Sequence, residues 1–600
     1  MKQTVCRDYL NLKNWGAVAS LLAATILLSA CSTTRYRESA DKEVYNILEQ
    51  KSPAVPGMIE DVNIEPHPAP DLSALARIEQ QYDFMGSEVN EIGAGILTLE
   101  RALEIAFTHS REYQNQKEQL YLQALSLTLD RHEFAPIFSG EIAATHIWDS
   151  DSVDTGSLVR AVDTMTGPPA LLLQQYADAV NSSGVMTRGT EIDIDTERTT
   201  SADGTASFGI NMLLKSGARF AADITSNFFT FLTGGSGDSA TTAIAASLTQ
   251  PLLRGAGSDV TTEFLTQAEH DMLYALRDFT DFRRQFAVQV ASQYYSVLRA
   301  RDAAYNNYQG LKSFEKSLER ERAFQAEGLK TAADVARLEE SKLQRDLSWT
   351  TTVRAYTQAL DNFKILLGLP TDTLLVLDGA ELIKLKENGI NMPSVTPKEA
   401  IDVALVTRLD LYTQRDAVED AERRIKVAAN ALKPGLDLVL AGQVNSKSGN
   451  RFESLDFDRS RWTAGVVLDL PLDRKAERNV YRRSLIDYES AIRNASLAED
   501  NVKLDVRNAY RNLLQSEKDY EISKLSLDLN KRRVEEVDLR AELGLGDILS
   551  QVDAQNALTA AESSVTGAIV DYHISLLQFW RDLGILYVKE NGMWEEINDV

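Results

Sequence analysis

The chain has 600 residues and a formal net charge of −25, which makes it a poor partner for nucleic acid because phosphates would be repelled. Its two Cys, Cys6 and Cys31, build neither a disulfide framework nor a Cys-based zinc site, and its six His show no metal-ligand spacing, so no cofactor or metal is implied. Hydrophobic residues make up 44% of the chain, and 32 Gly with 14 Pro are about 8% against about 12% in average usage, so a core and long helices are both expected.

Residues 1–30 read as a signal peptide. Lys2, Arg7 and Lys13 form a basic n-region, and the apolar run Ala17 to Leu28 is too short to span a bilayer as a helix. Leu28-Ser29-Ala30-Cys31 resembles the lipobox of bacterial lipoproteins, which implies cleavage before Cys31 and acylation of that Cys, with Ser32 favouring the outer membrane. Several acyl chains anchor stably where one does not. No later apolar run reaches 18 residues, so any further crossing must be by β-strands.

The lipidated segment 31–97 carries Pro53, Pro56, Pro66, Pro68 and Pro70 and is expected to be largely extended. Leu99, Ala102, Leu103, Ala106 and Phe107 then fall on one helical face behind Thr98 as N-cap, and the helix is expected to run to about His132, before Pro136. Phe208, Ile210, Met212 and Leu214 alternate ahead of a Lys215-Ser216-Gly217 turn. Phe220, Ala222 and Ile224 alternate after it, and Ile244, Ala246 and Leu248 lead into Gln250-Pro251. Residues 156–186 read as one or two short helices in an external or rim excursion. Residues 258–325 contain no Pro and only Gly310. A helix of that length spans roughly 100 Å and must be one wall of something elongated. It ends at Gly328-Leu329-Lys330-Thr331 and returns as a helix of about 35 residues to Gly368-Leu369-Pro370.

The same order then recurs. Thr98-Leu-Glu-Arg-Ala102 pairs with Thr396-Pro-Lys-Glu-Ala400, and Pro136 with Pro434, at an offset of 298. Pro251 and Arg254 pair with Pro471 and Arg474 at 220; Tyr294, Gly328 and Gly368 pair with Tyr510, Gly544 and Gly584 at 216. Repetition over such length implies two structural repeats. The expected organisation is a first repeat at 98–370 with an insertion at about 150–230, a connector at 371–395, a second repeat at 396–586 and a tail at 587–600. In the second repeat Leu436, Leu438, Leu440, Gly442 and Val444 alternate with Asp437, Val439, Ala441, Gln443 and Asn445. After a polar loop, Trp462, Ala464, Val466 and Leu468 alternate with Thr463, Gly465, Val467 and Asp469. Such a hairpin fits a transmembrane barrel, although a soluble half-buried hairpin alternates in the same way. The lipid anchor and the repetition favour the membrane. Asp437, Gln443 and Asp469, with Glu141, Asn211 and Asp223, are then the candidates for the lumen, an acidic, cation-tolerant surface.

Helix, hairpin, long helix, tight turn and return helix, all duplicated behind a signal peptide, resemble the TolC-like outer-membrane channel family over about residues 96–586. Leu248-Thr-Gln250-Pro251-Leu-Leu-Arg254-Gly-Ala-Gly257 looks like its strand-to-helix motif, echoed at Pro471 and Arg474. Gly328-Leu329-Lys330-Thr331 and Gly544-Leu545-Gly546-Asp547 look like its tip turns, with Asp547 departing from the usual hydroxyl. The resemblance implies a mixed α and β fold: a long antiparallel α-helical coiled-coil barrel plus transmembrane β-barrel strands, closed as a homotrimer. Twelve or eighteen strands result, depending on whether two or four come from the first repeat. It further implies a periplasmic adaptor that docks on the tip turns, an inner-membrane transporter, and a lipid-anchored outer-membrane site reaching into the periplasm. The family's carboxylate rings at the periplasmic aperture fall on Ser550 and Asp553, with Asp547 able to add charge and Asp334 and Arg337 at the matching first-tip positions. The implied function is a passive exit duct for small molecules, with no catalysis; protein secretion, or a non-porous periplasmic lipoprotein, remain the alternatives.

Overall fold

A computed structural model describes residues 33–59, 62–65, 68–86, 89–149, 199–233, 239–447, 455–543 and 546–595. The leader, Cys31, the 156–186 excursion, Gly544 and Leu545 lie outside these residues. The chain forms two compact units, one from residues 1–129, 265–425 and 483–600, the other from 130–264 and 426–482.

The first unit is helical. The segment expected to be extended opens instead as helix α1 (Thr33–Lys51). Val44, Ile47 and Leu48 recur at helical spacing and are fully buried, and the prolines begin only at Pro53, after the helix has ended. Tyr45 packs edge-on against Tyr121, whose hydroxyl donates to Asp41 Oδ1 at 2.6 Å. Strand β1 (Gly95–Leu97) leads into α2 (Leu99–His109), where Thr98 caps as expected by accepting from the Arg101 N–H. The single helix expected to His132 is in fact two, because Ser110 turns extended (φ −63°, ψ 131°) before α3 (Arg111–His132).

Beyond the second unit's strands come α4 (Ser258–Thr261), the 64-residue α5 (Glu263–Ala326) and the 35-residue α6 (Ala332–Leu366). Strand β6 (Leu375–Leu377) pairs in parallel with β1, and α7 (Ala380–Asn388) follows. Helix α8 (Pro397–Thr407) starts from a capping box between Thr396 and Glu399 and breaks at Arg408 (φ −74°, ψ 122°) before α9 (Leu409–Ala431). After the hairpin come α10 (Lys475–Glu542, 68 residues) and α11 (Ile548–Asp582, 35 residues). At 1.5 Å per residue α5 and α10 are each about 100 Å long.

Neither break carries a Pro or Gly; a neighbouring helix end causes each. Helix α6 closes in a Schellman motif, with Gly368 at φ +79° and the Leu369 N–H donating to Lys364 O at 2.9 Å. Helix α11 closes likewise, with Gly584 at φ +76° and Ile585 N–H on Trp580 O at 3.2 Å. A Cβ at Gly584 would lie 3.0 Å from Thr407 O, and one at Gly368 would overlap His109 O. Each return helix thus ends against the last carbonyl of α8 or α2, where a continuous helix would leave no room. The unit's core runs from Leu48 and Leu103 through Phe286 and Tyr294 to Phe579 and Leu586. The buried Arg283 ties the segments around Gly57 and Val588 to it, donating to Gly57 O at 3.1 Å and to Val588 O at 3.1 Å.

The second unit is one antiparallel sheet in the order β2 (Ile137–Asp149), β3 (Thr199–Leu213), β4 (Arg219–Thr233), β5 (Ser239–Pro251), β7 (Gly435–Asn445), β8 (Arg461–Asp469). The first half of the chain supplies four strands and the second half two. Strands β2 and β8 are the two edges.

Candidate functional site

The register sorts the sheet into two faces. Opposite residues share a face, and successive residues alternate between faces. Phe208 faces Ile224, Ile224 faces Ile244, and Ile244 faces Val444; Leu248 faces Leu440, and Leu436 faces Leu468. These residues, with Phe138, Ile142, Ile210, Phe220, Val466 and Trp462, make one apolar face. It is not covered: Trp462 is 78% exposed, Phe138 65% and Val466 63%. Ser226 and Thr242 interrupt it, and their hydroxyls pair at 3.0 Å, which lowers the cost of placing them there.

All six residues expected to face a lumen lie on the other face. Asn211 and Asp223 sit one strand apart, Glu141 opposes Ser207, Gln443 opposes Ala245, Asp437 opposes Val467 and Asp469 opposes Gly435. This face is not purely acidic, because Arg219 and Arg461 share it. Val467, Ile137 and Ile147 also lie there, so its polarity is incomplete.

The strand-to-helix residues meet at one end of this sheet. Gln250 closes the β3–β4 turn onto β5: Ser216 Oγ donates to its Oε1 at 3.1 Å, and its amide nitrogen donates to Pro251 O at 2.8 Å. Pro251 is the last residue of β5, which leaves the ladder where a missing N–H costs least. Arg254 reaches Asp469 Oδ2 at 2.6 Å, so one proposed lumenal carboxylate is already paired. Arg474 donates from Nε to Pro471 O at 3.1 Å and from a terminal nitrogen to Leu432 O. Two residues escaped the sequence reading. Asn430 accepts the Gly255 N–H on its Oδ1 at 2.7 Å. Gly435 makes room for the ion pair, since a Cβ there would meet Asp469 Cβ at 3.0 Å and Arg254 Nη2 at 3.2 Å. The Pro434-Gly435 pair was the available signal.

The two helix turns belong to the first unit. Gly328, at φ +77°, and Leu329 close α5 in a Schellman motif, and Leu329 N–H donates to Phe324 O at 2.9 Å. Thr331 opens α6 with a capping box: it accepts Asp334 N–H at 3.2 Å, while its own N–H donates to Asp334 Oδ2 at 3.2 Å. Asp547 opens α11, accepting from the Ser550 N–H at 3.1 Å and the Ser550 hydroxyl at 3.0 Å. The hydrogen bonds from Thr331 hold Asp334 below the ordinary carboxylate range, and those from Ser550, backbone first, do the same for Asp547. Ser550 and Asp547 are thus occupied with each other, whereas Asp553 is exposed one turn further along. Lys330 of the first turn donates to Gly546 O of the second at 2.6 Å, and Gln551 of α11 donates to Ser317 Oγ of α5 at 3.1 Å. Phe314, Leu318, Val335, Leu338, Ile548 and Val552 pack beneath as a small separate core. The sequence placed Lys330 in the first turn without a role and did not point to Gln551; these two join the turns.

Among the described residues no helix is long and apolar enough to cross a membrane, and no group of His, Cys, Asp and Glu is arranged to hold a metal. No curated protein matches the chain. Residues 400–583 match the family described as outer membrane efflux protein. Among solved structures, the outer-membrane channel OprN is similar at 12% identity with a TM-score of 0.53, covering 87% of this chain and 99% of that one. The CmeC outer membrane channel of Campylobacter jejuni gives 11% and 0.55, covering 83% and 87%. The open state of the MtrE outer membrane channel of Neisseria gonorrhoeae gives 14% and 0.51, covering 82% and 90%. At such identities the structural likeness shows the fold, that of the outer-membrane channels, and residues 400–583 carry the outer membrane efflux protein domain.

Proposed function

We propose that the protein is the exit duct of a tripartite efflux system. Three copies close their sheets into one eighteen-stranded barrel in the outer membrane, with the apolar face in lipid and the polar face around the lumen. The duplicated helix pairs form the periplasmic conduit. The observation that carries this reading is the sheet itself. Its apolar face is uncovered and both of its edges end in free strands, an arrangement that lipid and neighbouring copies satisfy together. Cys31 carries the lipid anchor. The turns around Gly328, Leu329 and Thr331, and around Gly544, Leu545 and Asp547, dock the periplasmic adaptor, and an inner-membrane transporter supplies the energy. Small molecules are the cargo. Asp553 narrows the periplasmic aperture as a ring of three carboxylates, which favours cations there. Asp547 and Ser550 act mainly as the helix cap. The duct itself needs no catalysis.

Single-channel recording of the purified trimer in planar bilayers, with Asp553→Ala alongside, tests this. A stable conductance that rises in the variant supports both duct and aperture. A conductance unchanged by the variant keeps the duct and removes Asp553 from the aperture. A verified trimer that never conducts, in either form, favours a non-porous spacer instead, and such a spacer would stay soluble without detergent once its lipid was removed.

A further inference from the structure

We infer that Arg461, working against Asp223, sets the charge preference of the strand-borne part of the duct, so that this stretch is charge-mixed instead of uniformly cation-favouring. The inference rests on the duct reading above and adds a specificity-determining residue to it. The ladder places both groups in one row: Asp223 opposes Ala245, Ala245 opposes Gln443, and Gln443 opposes Arg461. All four therefore share the polar face. The intervening side chains are short or neutral, and between the two charges lies a shallow hollow lined by Ala245, Ser247, Ala441, Gln443 and Thr463. Among the described residues Gln443 makes no hydrogen bond to either charged group, and its amide nitrogen donates to Asn445 Oδ1 at 3.0 Å.

Three strand spacings separate the two backbones, about 14 Å. The Debye length is about 8 Å at 0.15 M salt, so the charges do not cancel through solvent, and a passing ion meets each one separately. Asp469 differs, since Arg254 lies 2.6 Å from it and offsets its charge locally. Among the described residues no ion pair neutralises Arg461 or Asp223, and both are exposed. The acidic composition of the whole chain consequently overstates the cation preference of this face.

The test is the potassium-to-chloride permeability ratio of the trimer in planar bilayers under a salt gradient. Wild type, Arg461→Gln, Arg461→Lys and Asp223→Asn are compared, each with and without Asp553→Ala so that the tip carboxylate does not mask the strands. For an ion passing about 7 Å from one unit charge in water, Arg461→Gln should raise the ratio about twofold at 0.15 M salt and about fivefold at 0.01 M. Asp223→Asn should lower it by a similar factor, and Arg461→Lys should leave it at the wild-type value. Conducting variants whose ratios stay at wild type, or an Arg461→Lys shift as large as that of Arg461→Gln, would overturn the inference while leaving the duct in place. Wild-type trimers that do not conduct at all would overturn the duct, and the inference with it. Retention of the trimer on native gels separates a selectivity change from misfolding.

Discussion

Gly368, Gly584 and Gly328 share nearly the same backbone, at φ +79°, +76° and +77°, yet a methyl group at each would meet different surroundings. At Gly328 nothing lies within 4 Å; at Gly584 the Thr407 carbonyl oxygen lies at 3.0 Å; at Gly368 the new carbon would overlap the His109 carbonyl oxygen. All three Ala variants carry the cost of a left-handed residue with a Cβ, roughly 1–2 kcal/mol. Gly328→Ala should lose that alone. Gly584→Ala needs a shift of a few tenths of an ångström, adding about 1–2 kcal/mol. In Gly368→Ala the obstacle is backbone, which no rotamer change relieves. The end of α6 must move off the α2 terminus and strain its closing bonds from Gly368 and Leu369, for a total of roughly 4–6 kcal/mol. Guanidinium unfolding of the detergent-purified protein, followed by Trp fluorescence, should rank the losses Gly328 < Gly584 < Gly368. Unfolding rates should be recorded alongside midpoints, because a large assembly can unfold irreversibly. If Gly368→Ala unfolds together with Gly328→Ala, the account of why the first helices break at Ser110 and Arg408 is wrong.

Glu91 is 3% exposed, takes Arg301 Nη2 at 3.0 Å and accepts the Tyr356 hydroxyl at 3.1 Å. Glu91→Ala leaves the Arg301 guanidinium, only 15% exposed, without its carboxylate, so it should cost about 3 kcal/mol and open residues 77–97 to limited proteolysis. By contrast, Arg254 and Asp469 are 38% and 55% exposed, and a double-mutant cycle across them should return a coupling below about 1 kcal/mol despite the 2.6 Å separation. The depressed carboxylates Asp334 and Asp547 contribute stability that is present above the ordinary Asp value and lost as pH falls through their folded-state values. Amide-exchange protection in the first turns of α6 and α11 should therefore hold from neutral pH to about pH 4 and fall below it. Asp334→Ala should flatten that dependence at α6 and leave it intact at α11; equal behaviour at both helices would refute the assignment.

The face of each strand was legible because side-chain alternation needs no knowledge of the partner: Asp223 and Asp437 were placed on one face from their own segments, and the ladder agrees. Caps were legible too, since Thr98, Thr331, Thr396 and Asp547 each precede a helical run and each accepts a backbone N–H three residues on. What escaped depends on contacts distant in sequence. The breaks at Ser110 and Arg408 arise from glycines more than a hundred positions away, and no local residue marks them. Helix α1 was hidden by prolines that all follow it, although Val44, Ile47 and Leu48 carried the period. Arg219 and Arg461 went unweighed because the chain's net charge drew the reading towards its carboxylates; only the register places them on the same face as Asp223.

The central claim is that the free edges β2 and β8 of different copies pair to close a barrel. Oxidative cross-linking tests it most directly, with Thr463→Cys on β8 combined in turn with Ser139→Cys, Glu141→Cys or Ala143→Cys on β2, and with Gly140→Cys or Ile142→Cys as opposite-face controls. Closure requires residues of one face to meet, so one of the first three pairs should give a ladder ending at the trimer, and neither control should. A protein that stays monomeric under oxidation with all three same-face pairs, while remaining folded in detergent, would contradict the account.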